Sequence, residues 1–259
     1  MIDTIIKGDC LEIMPSIPDK SIDMILCDLP YGTTECKWDA VIPLKPLWDE
    51  YKRLIRSTGS IVLTASQPFT TILIMGNIEM FKYEWIWTKT RPSGLFHAKN
   101  APLKAHENVL VFSQGSINHP SCTDNRMNYF PQGLIPFGKM THRPNRDKKA
   151  SELYGMRPSR KKDFIQEATN YPQSVLMFPN VDNKNSHPTQ KPVALFEYLI
   201  KTYTNEGDLI LDNCIGSGTT AIAARNTGRH FIGIEKEAKY CEIARKRIAE
   251  MPTRLDHFV

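Results

Sequence analysis

The stretch Leu209–Glu235, LILDNCIGSGTTAIAARNTGRHFIGIE, decides the fold. It opens on an apolar run, Leu209–Asp212, that ends in a carboxylate. Gly216 and Gly218 follow, and glycine lets a backbone turn sharply and come close to a ligand. The pattern then predicts a helix over Thr219–Thr227 and a second strand over His230–Glu235, again ending in an acid. Strand, turn, helix and strand make a βαβ unit, whose two strands lie parallel in one sheet. Unpaired N–H groups at the start of such a helix suit a carboxylate or a phosphate. Glu235 stands 19 residues after Gly216, where an acid commonly takes the two hydroxyls of a ribose.

Gly216–Ala221 differs from the dinucleotide pattern G-x-G-x-x-G only in its last glycine, which alone decides little. Asp212, four residues ahead of Gly216, decides more. A carboxylate there repels a pyrophosphate and attracts a cationic amino group. S-adenosylmethionine carries that amino group, plus a carboxylate for the helix end, and is the expected cofactor.

Working outward, the chain has 259 residues, 41% apolar and 24% charged, the profile of an ordinary globular protein with a sizeable core. Strands are expected at Thr4–Lys7, Ile22–Cys27, Ser60–Thr64, Tyr83–Thr88 and Glu107–Phe112. Helices are expected at Cys10–Met14, Leu44–Ile55, Phe69–Asn77, Pro192–Tyr203 and Lys239–Glu250. The alternation argues for a doubly wound, mostly parallel sheet. From Gln114 to Pro179 the rhythm breaks, apart from a weak helical pattern near Lys161–Ala168. A structureless loop of that length is unusual, so the segment reads as an insertion. Residues 115–180 hold ten Lys/Arg against five Asp/Glu, which accounts for the whole net charge of +5. A basic face of this kind suits a polyanion such as nucleic acid. No apolar run reaches membrane-spanning length, and no signal peptide or membrane association is expected. The six scattered cysteines lack a Cys-x-x-Cys pair and read as reduced thiols of a cytoplasmic protein. No metal-ligand spacing is present in the sequence.

A second strand-end acid stands in CDLPYGTT, Cys27–Thr34, after the apolar run Ile22–Leu26. The amino nitrogen of a nucleobase is a poor nucleophile, because its lone pair is delocalised into the ring. An acceptor beside its N–H protons localises that pair as a methyl group arrives. Asp28 can supply the acceptor, Leu29-Pro30 a rigid turn that aims a backbone carbonyl, and Tyr31 a face on which an extruded base stacks.

These residues bring a family into view. DLPY resembles the D-P-P-Y motif, and DNCIGSGTT the D-P-F-x-G-S-G-T-T motif, of the amino-methylating DNA methyltransferases. HPTQKP (His187–Pro192) and KGDCLEIM (Lys7–Met14) are similar to two further motifs of that family. The order, with the catalytic motif first, looks like the beta group, and the resemblance spans residues 4–113 and 186–250. It implies an α/β Rossmann-like methyltransferase fold, circularly permuted in motif order, with one antiparallel strand. Residues 1–114 and 181–259 would form the catalytic and S-adenosylmethionine-binding domain, and 115–180 a target-recognition insertion. The resemblance makes Asp28, Leu29, Pro30 and Tyr31 the catalytic turn, with Asp28 also bordering the cofactor. It sets Asp9 and Cys10 beside the cofactor adenine, Thr189 and Lys191 at its methionine end, and Asp212 at its amino group. Gly216, Ser217, Gly218 and Thr219 would meet its carboxylate, Cys214 would line its pocket, and Glu235 would hold its ribose. Asp9 also reads as a helix cap, since Glu12 follows at capping-box spacing. Leu29 stands where the family usually has proline, and Asn213-Cys214 where it has Pro-Phe.

The implied activity is adenine-N6 methylation of double-stranded DNA. Cytosine-N4 methylation is the nearest alternative, although in the beta group it usually accompanies a serine at the position of Asp28. An NAD-dependent oxidoreductase is opposed by the Asp212–Gly216 spacing. The sequence is silent on oligomeric state, and the resemblance admits a homodimer.

Overall fold

The structure, a computed structural model, describes residues 2–32, 39–118, 123–142, 163–181 and 190–251. In chain order its elements are β1 (Thr4–Lys7), α1 (Cys10–Ile13), β2 (Ile22–Asp28), α2 (Leu44–Leu54), β3 (Ile55–Ala65), α3 (Phe69–Gly76), β4 (Phe81–Ser93), β5 (Lys104–Ser113), β6 (Ile135–His142), β7 (Asp163–Thr169), β8 (Val175–Met177), α4 (Val193–Tyr203), β9 (Leu209–Asp212), α5 (Thr219–Asn226), β10 (His230–Glu235) and α6 (Ala238–Ala249). Two compact units result, one of Met1–Phe130 with Ser174–Val259, the other of Pro131–Gln173.

The first unit is built on an eight-stranded sheet in the order β1-β10-β9-β2-β3-β5-β4-β8. Every neighbouring pair is parallel except the two that involve β5, which is therefore the one antiparallel strand. The fold is the expected Rossmann-like methyltransferase sheet. The central strand β2 is buried along its length until Asp28. Its side chains alternate between two cores: Met24 and Leu26 pack with Leu195, Phe196 and Tyr203 of α4, and Ile25 and Cys27 pack with Leu47 and Tyr51 of α2. Burial on both faces is why this strand reads as an apolar run instead of an alternation.

Parallel strands put all their carboxyl ends at one edge. Register aligns Asp28 with Thr64 of β3, and Thr64 with Val109 of β5. It aligns Asp212 with Gly233 of β10, and Glu235 with Lys7 of β1. Such an edge is where ligands sit in open α/β sheets.

The strand expectations at Thr4–Lys7, Leu209–Asp212 and His230–Glu235 match the observed bounds, while β3, β4 and β5 run longer than their apolar cores suggest. The weak helical pattern at Lys161–Ala168 is a misreading. Asp163–Thr169 is a strand, paired antiparallel with Ile135–His142. Its exposure changes at every residue from Ile165 to Ala168, the period of a strand. Residues on either side of the second unit belong to the first: ahead of it the Asn128 N–H donates to the Thr58 carbonyl at 2.9 Å and the Phe130 N–H to the Thr202 carbonyl at 2.7 Å, and after it the Ser174 carbonyl accepts the Ile86 N–H at 2.8 Å.

One buried bond joins the fold to its glycine turn. The Tyr51 hydroxyl of α2 donates to Asn213 Oδ1 at 2.5 Å. Tyr51→Phe leaves that oxygen without its donor, and should lower unfolding free energy in urea by about 1–3 kcal/mol. An unchanged midpoint and slope would show that the bond contributes nothing.

Candidate active site

Asp28 ends β2 with its side chain 26% exposed and its oxygens already engaged. Oδ1 accepts the Tyr31 hydroxyl at 2.8 Å and a short bond from the Thr64 hydroxyl. Oδ2 accepts the Lys191 ammonium at 2.7 Å. A carboxylate offers about four lone-pair positions. Three donors fix this one in place and leave about one position for an incoming N–H.

Tyr31 lies between Asp28 and the core. Its ring packs against Phe69 at 5.5 Å between centroids, tilted by 31°, and the Lys191 ammonium stands 5.6 Å from its centre. Burial pushes its phenol well above the ordinary value, as do the Asp28 and Glu107 carboxylates, so it is a hydrogen-bond donor throughout the physiological range. Leu29 is buried in the core beside α2, and therefore contributes its backbone and an anchor to the turn, not a side chain to the edge. Pro30, half-buried, follows it.

Lys191 is buried, and its ammonium also lies 3.3 Å from Glu107 of β5. Glu107 in turn pairs with Lys89 of β4 at 2.5 Å. Burial pulls the Lys191 pKa down, but Asp28 and Glu107 outweigh it and hold the ammonium charged. For Glu107 burial pushes upward, and the two lysines prevail and keep it ionised. Lys89–Glu107–Lys191–Asp28 is thus a continuous chain of alternating charge. Thr64, Glu107 and Lys89 were absent from the sequence reading. Their only sequence signal is a polar residue at the end of a strongly apolar strand.

The second half of the edge is the turn after β9. Asp212 is buried, accepting the Cys214 N–H at 3.0 Å through Oδ1 and a short bond from the Thr220 hydroxyl through Oδ2. Burial pushes its carboxyl up to about 7, against the pull of those donors. Gly216 has φ +50° and Gly218 φ +86°, so both need glycine, and a Cβ at Gly218 would stand 2.9 Å from that of Ala244 in α6. Thr219 begins α5. The Ser217 hydroxyl reaches Gln190 at 3.3 Å, linking the turn to the TQKP segment. Glu235 Oε2 accepts the Gly216 N–H at 2.9 Å, and Oε1 that of Glu237 at 2.8 Å, so this acid shapes the turn as well as facing it.

Asp9 caps α1, accepting the Leu11 N–H at 3.0 Å, and its other oxygen meets the Lys236 ammonium at 3.3 Å. Cys10 is buried in the α2-side core. Cys27, whose thiol burial pushes up to about 12, interacts with Cys214 and Asp212. Thr189 lies outside the described residues, as do Arg143, Arg146, Lys148, Lys149, Tyr154, Arg157, Arg160, Lys161 and Lys162 of the basic segment. Of its other members, Lys139 stands 5.2 Å from the Phe137 ring centre, and Arg126 precedes the buried Met127. Among the described residues no helix is long and apolar enough to cross a membrane.

Removing Lys191 would leave Asp28 without its cation and Glu107 with Lys89 alone. Lys191→Met should destabilise the protein by about 2–3 kcal/mol, on the low side of a broken buried pair because Asp28 keeps some water. Lys191→Arg should recover part of the loss. Chemical denaturation of the three proteins checks this, and equal stability of Lys191→Met and parent would overturn it.

Comparison with known proteins agrees with this geometry. A DNA methylase family profile matches residues 22–246. The Type II methyltransferase M.HinfI of Haemophilus influenzae is 30% identical over 278 residues, covering 96% of this chain and 69% of that protein. The Type II methyltransferase M1.MboII of Moraxella bovis is 27% identical over 260 residues, covering 92% and 94%. Among solved structures, the M1.HpyAVI–SAM complex aligns with a TM-score of 0.59 at 25% identity, covering 94% of this chain and 98% of that one. The cytosine-N4-specific PvuII DNA methyltransferase shares the fold with a TM-score of 0.65 at 16% identity, covering 97% and 87%. With a family match that includes both strand-end acids and the glycine turn between β9 and α5, the chain belongs to the DNA methylases, in their beta-group form.

Proposed function

We propose that this DNA methylase transfers a methyl group from S-adenosylmethionine to the N6 amino group of adenine in double-stranded DNA. The observation that carries the reading is the Asp28 carboxylate, held by three donors with about one acceptor position to spare.

The cofactor fits the residues at the second half of the edge. Asp212 is a buried carboxyl close to neutrality for want of a cation, which the cofactor's amino group would supply. Gly216, Ser217, Gly218 and Thr219 would meet its carboxylate end, Asp9, Cys10 and Cys214 its adenine side, and Glu235 its ribose. S-adenosylmethionine supplies, when bound, a methyl group on a sulfonium whose departure leaves a neutral thioether.

The chain's own part is positioning and hydrogen bonding. Asp28 accepts one amino N–H of the target base, which draws the nitrogen lone pair out of the ring and toward the methyl donor. The nitrogen must lose a proton as its new bond forms, and the same Asp28 oxygen is the adjacent acceptor. Tyr31 serves as a stacking face, and its hydroxyl holds Asp28 in register. Thr64 and Lys191 act through Asp28 as positioning residues. Asp28 supports adenine over cytosine, since the cytosine-N4 members of the group it resembles usually carry serine there. The basic insertion, including the exposed β6–β7 pair with Phe137 and Lys139, is the proposed target-recognition region.

Asp28→Ala should slow single-turnover methyl transfer by about 10²–10⁴-fold, with cofactor affinity within about twofold of the parent. Tyr31→Phe keeps the ring but loses the bond to Asp28, and should fall about tenfold, well short of Tyr31→Ala. The product nucleoside should be N6-methyladenine. An Asp28→Ala enzyme at parental rate would remove the assignment, and N4-methylcytosine would replace the substrate.

Asp212 gives the cofactor step a pH signature. Binding an ammonium requires the ionised carboxylate, and below about pH 7 the free enzyme holds this group protonated. Affinity for S-adenosylmethionine should therefore weaken about twentyfold from pH 7.5 to 5.5. Asp212→Asn should bind weakly and lose that dependence. Calorimetry showing the same slope in both proteins would place the titrating group elsewhere.

A further inference from the structure

Among the described residues nothing covers the apolar tip of the hairpin between β4 and β5. From Arg91 to His106 every residue is exposed. Gly94, at φ +92°, starts a single 3₁₀ turn, Leu95–His97. That turn is closed by its own backbone: the His97 N–H donates to the Gly94 carbonyl at 2.9 Å, and the Ala101 N–H to that of His97 at 2.9 Å. At its crest Phe96 is fully exposed, at 101%, and Leu95 is exposed at 77%. An exposed aromatic beside an exposed leucine on an ordered turn marks a candidate surface for a partner.

The surroundings say which. Arg91–His106 contains Arg91, Lys99 and Lys104 with His97 and His106, and no acidic residue. The base of the hairpin is clamped, since Asn180 Oδ1 accepts the Arg91 N–H at 3.1 Å and β8 pairs with Ile86–Thr88. Its position follows from register. Asp28 is level with Thr64, Thr64 with Val109, and Val109 with Trp85. β4 then continues to Ser93 and β5 starts at Lys104, so the tip stands on the order of 15–20 Å beyond the level of Asp28, at about 3.3 Å per residue. That exceeds the depth of the DNA major groove, about 8.5 Å. The same hairpin holds Glu107, whose bond to Lys191 ties it to Asp28.

We propose that the Gly94–Ala101 turn is a wedge for duplex DNA, in which Phe96, backed by Leu95, fills the place in the base stack left by the extruded base. Apolar side chains inserted between base steps are a recurrent way of unstacking a duplex, and flanking cations supply the phosphate contacts. The inference rests on the DNA methylase reading, because a target amino group inside a duplex is out of reach of Asp28 until the base leaves the stack.

The test uses the full chain and an unmethylated phage genome as duplex substrate, so that no recognition sequence need be known. Phe96→Ala should reduce methyl transfer at saturating cofactor roughly tenfold or more, with thermal stability and cofactor affinity as in the parent. Phe96→Trp should retain most of the activity, and its added indole emission should be quenched by the duplex. Transfer by Phe96→Ala within twofold of the parent, or added emission in Phe96→Trp that ignores DNA, would overturn the wedge. A concentration-dependent dimer in sedimentation that Phe96→Ala abolishes would assign the patch to a second copy of the chain and overturn it as well. A parent protein that transfers no methyl group to DNA would instead sink the methyltransferase reading on which the wedge rests.

Discussion

Two carboxylates end adjacent parallel strands, Asp28 on β2 and Asp212 on β9, and the sheet cannot separate them. The charge on Asp28 raises the cost of charge on Asp212, and the protein surrounds the two in opposite ways. Asp28 has an ammonium: Lys191, itself buried, is held charged by Asp28 and Glu107 together. Asp212 has neutral donors among the described residues, Thr220, the Cys214 N–H and the Cys27 thiol, and burial leaves it near neutrality. In the proposed reading one environment presents an acceptor for an N–H, and the other takes the cofactor's cation. Separating the roles of two acids by their surroundings is how a single edge can hold both an acceptor and a cofactor.

The Lys89–Glu107–Lys191–Asp28 chain also explains why β5 is part of the site. Glu107 comes from the antiparallel strand, Lys191 from the segment before α4, and Asp28 from the central strand. A buried ion pair gains little stability over a well-packed apolar pair. Its value here is geometric. It fixes the direction of the Asp28 carboxylate to within the tolerance of a hydrogen bond, and binds three separate elements to that direction.

What could be read from the sequence follows from this. Asp28, Asp212, Gly216 and Glu235 were legible because a carboxylate or glycine at the end of an apolar run is a local pattern. Positive φ at Gly216 and Gly218 is the physical content of that pattern. Thr64, Glu107 and Lys89 were not legible, because their partners are set by β3–β5–β4 pairing between residues far apart in sequence. Lys191 was found, but its contact with Asp28 was not, for the same reason. Asp9 satisfies the capping alternative directly through Leu11. The helix expected at Lys161–Ala168 failed because a segment of eight residues has too few turns to display a period, and the pairing of Asp163–Thr169 with Ile135–His142 decided the matter. β8 was missed because it has three residues, next to prolines.

A purely parallel sheet would have carried none of the reach seen at β4 and β5. At the carboxyl edge of parallel strands the chain must turn away into a helix on one face, which keeps its connections low and broad. Reversing a single strand lets two neighbours continue together past the edge as a hairpin, paired at Thr88↔His106 and again, after a register shift, at Ser93↔Lys104. Such a ribbon can stand in water without a core, and can carry an apolar tip without collapsing onto one. The one antiparallel strand of this sheet thus does two things. It brings Glu107 to Lys191, whose ammonium holds Asp28, and it forms with β4 the hairpin that carries the exposed Phe96. Glu107, which holds Lys191 beside Asp28, and Phe96, the proposed wedge, then belong to one hairpin, so that under that proposal a duplex pressing on the tip bears on the strand that helps to orient Asp28.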